Sequence, residues 1–331
     1  IPVGKIAFRH NTDNNATEIA RYDNFVVKDG EGNVLFEDDF SDASNPNFTG
    51  GTIEDGMLKV GSETKGETIV LQKDAVEGNS APMLRKDFST TEGKEIASAR
   101  VYATSAGIYE LYLNGEKVGK DYFNPGWTDY TKHTMYQTFD VTDMMNQGEN
   151  TFAAMLGKGW YCGNITHVGP NRYGTEPALM AKLVVEYADG TEKTTIVTDD
   201  TWSFNGNGPI VDNNFLDGEK YDATKEIDGW DNVGFQEDDT WSKAGVYDVN
   251  KLGIGPLDAQ IGETVQQVDT LTVKEVTEPK ENAFIYDLGQ NFAGVIQLNL
   301  PGEFTKANKG LKITLRHGEM LNDDSGTGDD V

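Results

Sequence analysis

The chain has one cysteine, Cys162, in 331 residues. An intramolecular disulfide and a cysteine-built zinc site are therefore excluded. Cys162 lies in the run Trp160-Tyr161-Cys162 and reads as a small buried hydrophobe rather than a redox group. Histidine is almost as scarce: His10, His133, His167 and His317 are scattered, and no His-Glu-x-x-His pair occurs. A Gly-x-Ser-x-Gly elbow, a phosphate loop and a dinucleotide fingerprint are all missing. Cations are few, 28 Lys and Arg against 55 Asp and Glu, which leaves a formal charge of −27. Nucleic acid needs clustered cations and an anionic membrane repels such a charge, so neither is an expected partner. No stretch reaches the roughly 20 apolar residues of a membrane span. The best run, Pro177 to Val185, is interrupted by Lys182. Neither an initiator Met nor a signal peptide precedes Ile1, which reads as a processed, trimmed or partial chain.

Glycine is abundant, 37 residues against 10 prolines, and it punctuates short segments of period-two alternation. Ile108 to Leu113 runs into Asn114-Gly115 and then Glu116-Lys117-Val118. Asn-Gly at that place is a hairpin signal, because both turn positions need φ > 0. Lys182 to Tyr187, Asp189-Gly190 and Lys193 to Thr198 make a second hairpin. Asp29-Gly30 to Asn33 joins Phe25-Val26-Val27 to Val34-Leu35-Phe36. Helical periodicity is hard to find, and Val141 to Met145 reads as one helical turn capped by Thr142. The expected fold is all-β, a tandem of jelly-roll or β-sandwich domains. Three segments separate: residues 1–78, then 81–247, dense in aromatics, then 260–331, with alternating strands at Val295 to Leu300 and Leu311 to Leu315. Val249 to Ala259, with Gly253, Gly255 and Pro256, reads as a linker, and 323–330 as an acidic loop or tail.

Acidic residues are too many for sequence spacing to single out the carboxyl pair a glycosidase needs. Nothing in the residues themselves argues for an active site. Binding is better supported. Asn124 to Tyr130, Gly159 to Asn164 and Asn171 to Gly174 place Trp127, Trp160, Arg172 and Tyr173 in glycine-flanked polar loops. Sugars offer C–H faces to aromatic rings and hydroxyls to amides, carboxylates and guanidinium groups. The other reading of these rings is that they fill a sandwich core.

The motifs resemble, in order over most of 81–247, the N-terminal β-domain of bacterial α-L-rhamnosidases, glycoside hydrolase family 78. They are Gly107 to Gly115, Asn124 to Tyr130, Tyr136 to Thr142, Gly157 to Tyr161, Asn171 to Pro177 and Asp217 to Ala223. Tyr286 to Gly294 and Arg316 to Leu321 are similar to the β-sandwich preceding that family's catalytic α/α barrel. Residues 1–78 look like the end of a concanavalin or laminin-G-like jelly roll. The resemblance implies an inverting rhamnoside hydrolase for the whole protein, acting on terminal α-L-rhamnosides of plant or bacterial glycans. It places the acid and base on a C-terminal barrel beyond this chain, so no catalytic residue is expected here, and it implies an extracellular or cell-surface location. The middle segment is similar to carbohydrate-binding module family 67, which binds L-rhamnose with calcium. That similarity implies Asp121 and Asn171, with the loop to Pro177, as calcium ligands and Trp127, Trp160, Arg172 and Tyr173 as sugar-facing residues. Lys120 departs from the pattern, standing where family members often carry a second acid, and a cation there repels a metal at short range. Structural spacer domains without sugar binding remain the alternative.

Overall fold

The computed structural model describes residues 7–10, 19–28, 32, 34–45, 47–61, 68–72, 81–190, 192–249 and 252–319. The expected Asp29-Gly30 turn, the stretch 75–80 and the acidic 323–330 segment lie outside them. The chain is all-β and divides into two compact units, Ile1–Thr264 and Val265–Val331.

At the start of the first unit, short strands fold around aromatic rings. Phe40, Phe48, Leu58 and Val60 are buried, with Phe25 and Phe36 packed against them. Ala7–His10, Thr68–Gln72 and Phe48–Thr49 form one sheet, and Ala20–Tyr22, Met57–Val60 and Thr52–Glu54 another.

Residues 81–264 build a β-sandwich. One sheet runs in the order Thr194–Val197, Ala178–Tyr187, Ile96–Ala106, Thr134–Asp140, Leu257–Ala259. The other runs Glu116–Lys117, Ile108–Leu113, Glu149–Gly157, Met83–Ser89, Ser203–Asn205, Ser242–Lys243. Alternate residues point inward from both sheets, so Val101, Leu111, Leu113, Phe152, Leu183, Val185 and Trp202 share one core. Asn114 (φ 54°) and Gly115 (φ 85°) take the left-handed conformation that the expected hairpin requires.

The two sheets are joined at Gly107, between Ile96–Ala106 and Ile108–Leu113. Its φ is 120°, and a Cβ there would lie 2.4 Å from the Gly157 carbonyl oxygen. Only glycine lets the chain change sheets at this point.

A second apolar layer covers the outer face of the six-stranded sheet: Trp230 and Trp241, from the 226–241 loop, pack on Met83 and Ala153. Buried Arg85 pins this loop, 2.7 Å from Glu237 and 2.7 Å from Asp87, with Phe235 under its guanidinium.

Three expectations change. The stretch read as a linker carries a strand, Leu257–Ala259, paired in parallel with Thr134–Tyr136. Gly255 makes this possible, since a Cβ there would lie 2.3 Å from the Lys132 carbonyl carbon. The turn at Thr142–Met144 is 3-10, and Thr142 does not cap it. Instead the Asp140 carboxylate accepts from the Thr142 amide and hydroxyl. In the second unit, Glu275–Lys280 and Ala283–Asp287 form a hairpin, but Val295–Leu300 and Leu311–Leu315 have no ladder partner among the described residues and are not strands. A one-turn helix, Gly302–Ala307, lies between them. No side chain in 265–319 is buried.

Candidate functional site

Loops at one end of the sandwich gather the sequence candidates. Gly159–Cys162, a single helical turn, follows the strand Glu149–Gly157 and carries Trp160. Trp127, in the loop before Thr134–Asp140, stacks on Trp160 with centroids 4.7 Å apart and planes at 20°. Phe215 also lies nearly parallel to Trp160, at 4.8 Å and 31°, and Phe123 meets Phe215 edge-on at 5.1 Å. Trp160 thus spends much of its π surface on protein neighbours, whereas Trp127 is 53% exposed. Trp160 and Tyr173 border a small core of Ala106, Tyr130, Tyr161 and Cys162. Tyr173 packs edge-on against Tyr130 at 5.1 Å, and the Arg172 guanidinium lies 6.0 Å above the Tyr173 ring. The four expected sugar-facing residues therefore form one contiguous group.

Phe215 was not among the sequence candidates. It sits at the tip of a hairpin, Ile210–Asn214 with Gly218–Tyr221. The alternation Val211, Asn213, Phe215 was the available signal. The hairpin is tied down by Asn213, whose Oδ1 accepts from the Lys158 amide at 2.7 Å, and by an ion pair of Lys158 with Asp212.

The backbone around this group is strained. Phe123 (φ 59°), Thr166 (φ 43°) and Asn171 (φ 63°) all lie in the left-handed region. Asn adopts it readily, but an aromatic or β-branched residue pays roughly 1–2 kcal/mol. In 81–264 the other non-glycine case among the described residues is Asn114, which the hairpin turn explains. Strain concentrated in one set of loops is a mark of sites held for a purpose other than packing.

The polar groups divide by role. Asp121 lies in the short strand Asp121–Tyr122 and accepts from the Thr264 hydroxyl at 2.5 Å. Asn171 is exposed, and its amide donates to the Cys162 carbonyl. Carboxylate, side-chain amide and backbone carbonyl are oxygen donors of the kind a hard cation takes, and among the described residues no group of three or more His, Cys, Asp or Glu comes together. Lys120, exposed, directly precedes Asp121. Tyr161 and Tyr173 contribute ring surface, and burial raises the Tyr161 phenol above its usual range. Burial likewise pushes the Cys162 thiol up to about 12, which leaves it protonated and unreactive at neutral pH.

Residues 94–269, more than half the chain, match the family profile of the α-L-rhamnosidase N-terminal domain, and 277–330 match the bacterial α-L-rhamnosidase concanavalin-like domain. An α-L-rhamnosidase of Streptomyces avermitilis is 42% identical over 248 residues, covering 74% of this chain and 23% of that protein. One from Alteromonas sp. is 33% identical over 239 residues, covering 72% and 25%. The chain thus spans about a quarter of the length of these curated relatives. Among solved structures, the Streptomyces avermitilis α-L-rhamnosidase complexed with L-rhamnose aligns with a TM-score of 0.60 at 29% identity, over 88% of this chain and 34% of that one. The α-L-rhamnosidase from Dictyoglumus thermophilum aligns at 0.56 and 26%, over 88% and 26%.

Proposed function

This chain belongs to the α-L-rhamnosidase family through its N-terminal domain, and on that premise we propose that residues 81–264 bind L-rhamnose in glycans without cleaving them. The observation that carries this reading is Trp127: an indole held rigidly against Trp160 yet 53% exposed, in strained loops that also present Arg172, Asn171 and Asp121. An exposed tryptophan face takes the apolar side of a sugar ring, and the adjoining amide, carboxylate and guanidinium groups read its hydroxyls. Asp121 and Asn171 would hold calcium, whose contribution when bound is to polarise and orient vicinal hydroxyls. Tyr173 supports Arg172 from below. The whole protein then hydrolyses terminal α-L-rhamnosides on a catalytic barrel C-terminal to this chain, outside the cell or at its surface. Affinity for a single sugar is weak, because little surface is buried against the entropy of association. Tethering to the barrel offsets this through effective concentration.

Calorimetric titration with L-rhamnose, with calcium and again with a chelator, tests the reading. The expected result is heat of binding that disappears in chelator. Binding in both conditions removes calcium from the proposal, and no heat in either leaves these domains as scaffold.

A further inference from the structure

The hairpin that brings Phe215 to Trp160 carries more than its packing requires. Leu216, at the tip, is 48% exposed, and Phe123, whose ring meets Phe215, is 38% exposed in a left-handed conformation. The exposed parts of these two side chains contribute nothing to the core and together leave apolar surface open beside the Trp160 stack. The tip is nevertheless rigidly built. Its three-residue loop closes on Gly218 (φ 88°), and the Asn214 side chain accepts from the Leu216 and Asp217 amides at 2.9 and 3.4 Å. Asn164 donates to the Asp217 carboxylate at 3.2 Å.

The three carboxylates of the motif Asp217 to Asp222 separate on inspection. Asp217 is taken by Asn164, and Asp222 accepts from the Thr224 amide and hydroxyl. Glu219 has no hydrogen-bonding or ionic partner among the described residues. It stands opposite Asn213 in the ladder, so it shares the hairpin face that Asn213 turns toward Lys158. Although Glu219 is exposed as a residue, lost hydration holds its carboxyl above the usual range.

We propose that Phe123, Leu216 and Glu219 form a second sugar-contacting station beside the Trp127 face, so that the site takes a neutral oligosaccharide rather than a single terminal residue. The proposal rests on the sugar-binding reading above. An exposed ring and an aliphatic side chain at the tip of a hairpin that also carries an unpartnered acceptor suit a sugar, which offers C–H surface and hydroxyl donors together. The carboxylates of Asp217 and Glu219 disfavour an anionic ligand there. Rigidity of the tip limits the ordering cost of binding.

The test is calorimetry on the whole chain with L-rhamnose and with a neutral trisaccharide ending in L-rhamnose. The trisaccharide is expected to bind about tenfold tighter, or 1.4 kcal/mol. In Leu216→Ser and in Glu219→Gln that ratio falls toward one, with melting temperature unchanged. Equal affinity of the native chain for the two ligands, or a ratio that survives both substitutions, overturns the second station while leaving rhamnose binding intact. Failure of both ligands to bind overturns the sugar-binding reading and this inference with it.

Discussion

Two stacked tryptophan pairs occupy the same sandwich, and they have opposite relations to water. Trp230 and Trp241, 6.5 Å apart and 24° from parallel, are under 10% exposed, with Phe235 edge-on and the Arg85 guanidinium tied by two carboxylates alongside. Trp127 and Trp160 are closer, 4.7 Å, and slightly more parallel at 20°, yet Trp127 stands half in solvent. At the covered pair the Arg85 charge is matched by Glu237 and Asp87. The open pair has Glu219 unmatched on the adjoining hairpin and strained backbone in the loops around it. Stacking alone therefore does not separate core from site. What separates them is access to water: one pair is sealed and the other leaves an indole face open.

Substitution can break this contrast. Trp241→Ala should cost about 3 kcal/mol of stability, because a buried indole leaves a cavity that the pinned loop cannot fill. Trp127→Ala should cost only about 1 kcal/mol, the worth of its stack on Trp160, while abolishing the heat of rhamnose binding. Urea denaturation of both variants decides it: equal losses would make the open pair a core element. The smallest effect sharpens the comparison by pH. The Thr224 hydroxyl, and then its amide, hold the Asp222 carboxyl below the usual range. A lowered folded pKa stabilises the protein above the unfolded value, about 3.9, and that contribution fades as pH falls through the folded value. Thr224→Ala should thus lower the melting temperature slightly at neutral pH, and the difference should fade as the pH falls below the unfolded carboxyl value. A difference that persists in acid would mean the hydroxyl acts through packing.

Local signals were legible in the sequence, and long-range ones were not. Asn114-Gly115 announced its hairpin because the turn is a property of two adjacent residues. The Leu257–Ala259 strand gave no such notice. Three residues after Gly253, Gly255 and Pro256 have the composition of a loop, and only the neighbouring Thr134–Tyr136 strand makes them a sheet edge. Val295 to Leu300 failed in the other direction: alternation marks the capacity to pair, and pairing also needs a partner. At the site, Trp127, Trp160, Arg172 and Tyr173 were found by residue type near turns. Phe215 was not, because its meeting with Trp160 depends on two segments some fifty residues apart being folded together.

The strand Leu257–Ala259 also has a mechanical consequence. It lies parallel to Thr134–Tyr136, and shortly after it Thr264 reaches back to the Asp121 carboxylate. A pull arriving at residue 264 loads the Thr264–Asp121 contact and the strand along its length, so the ladder bonds of that strand must yield together in shear instead of unzipping singly.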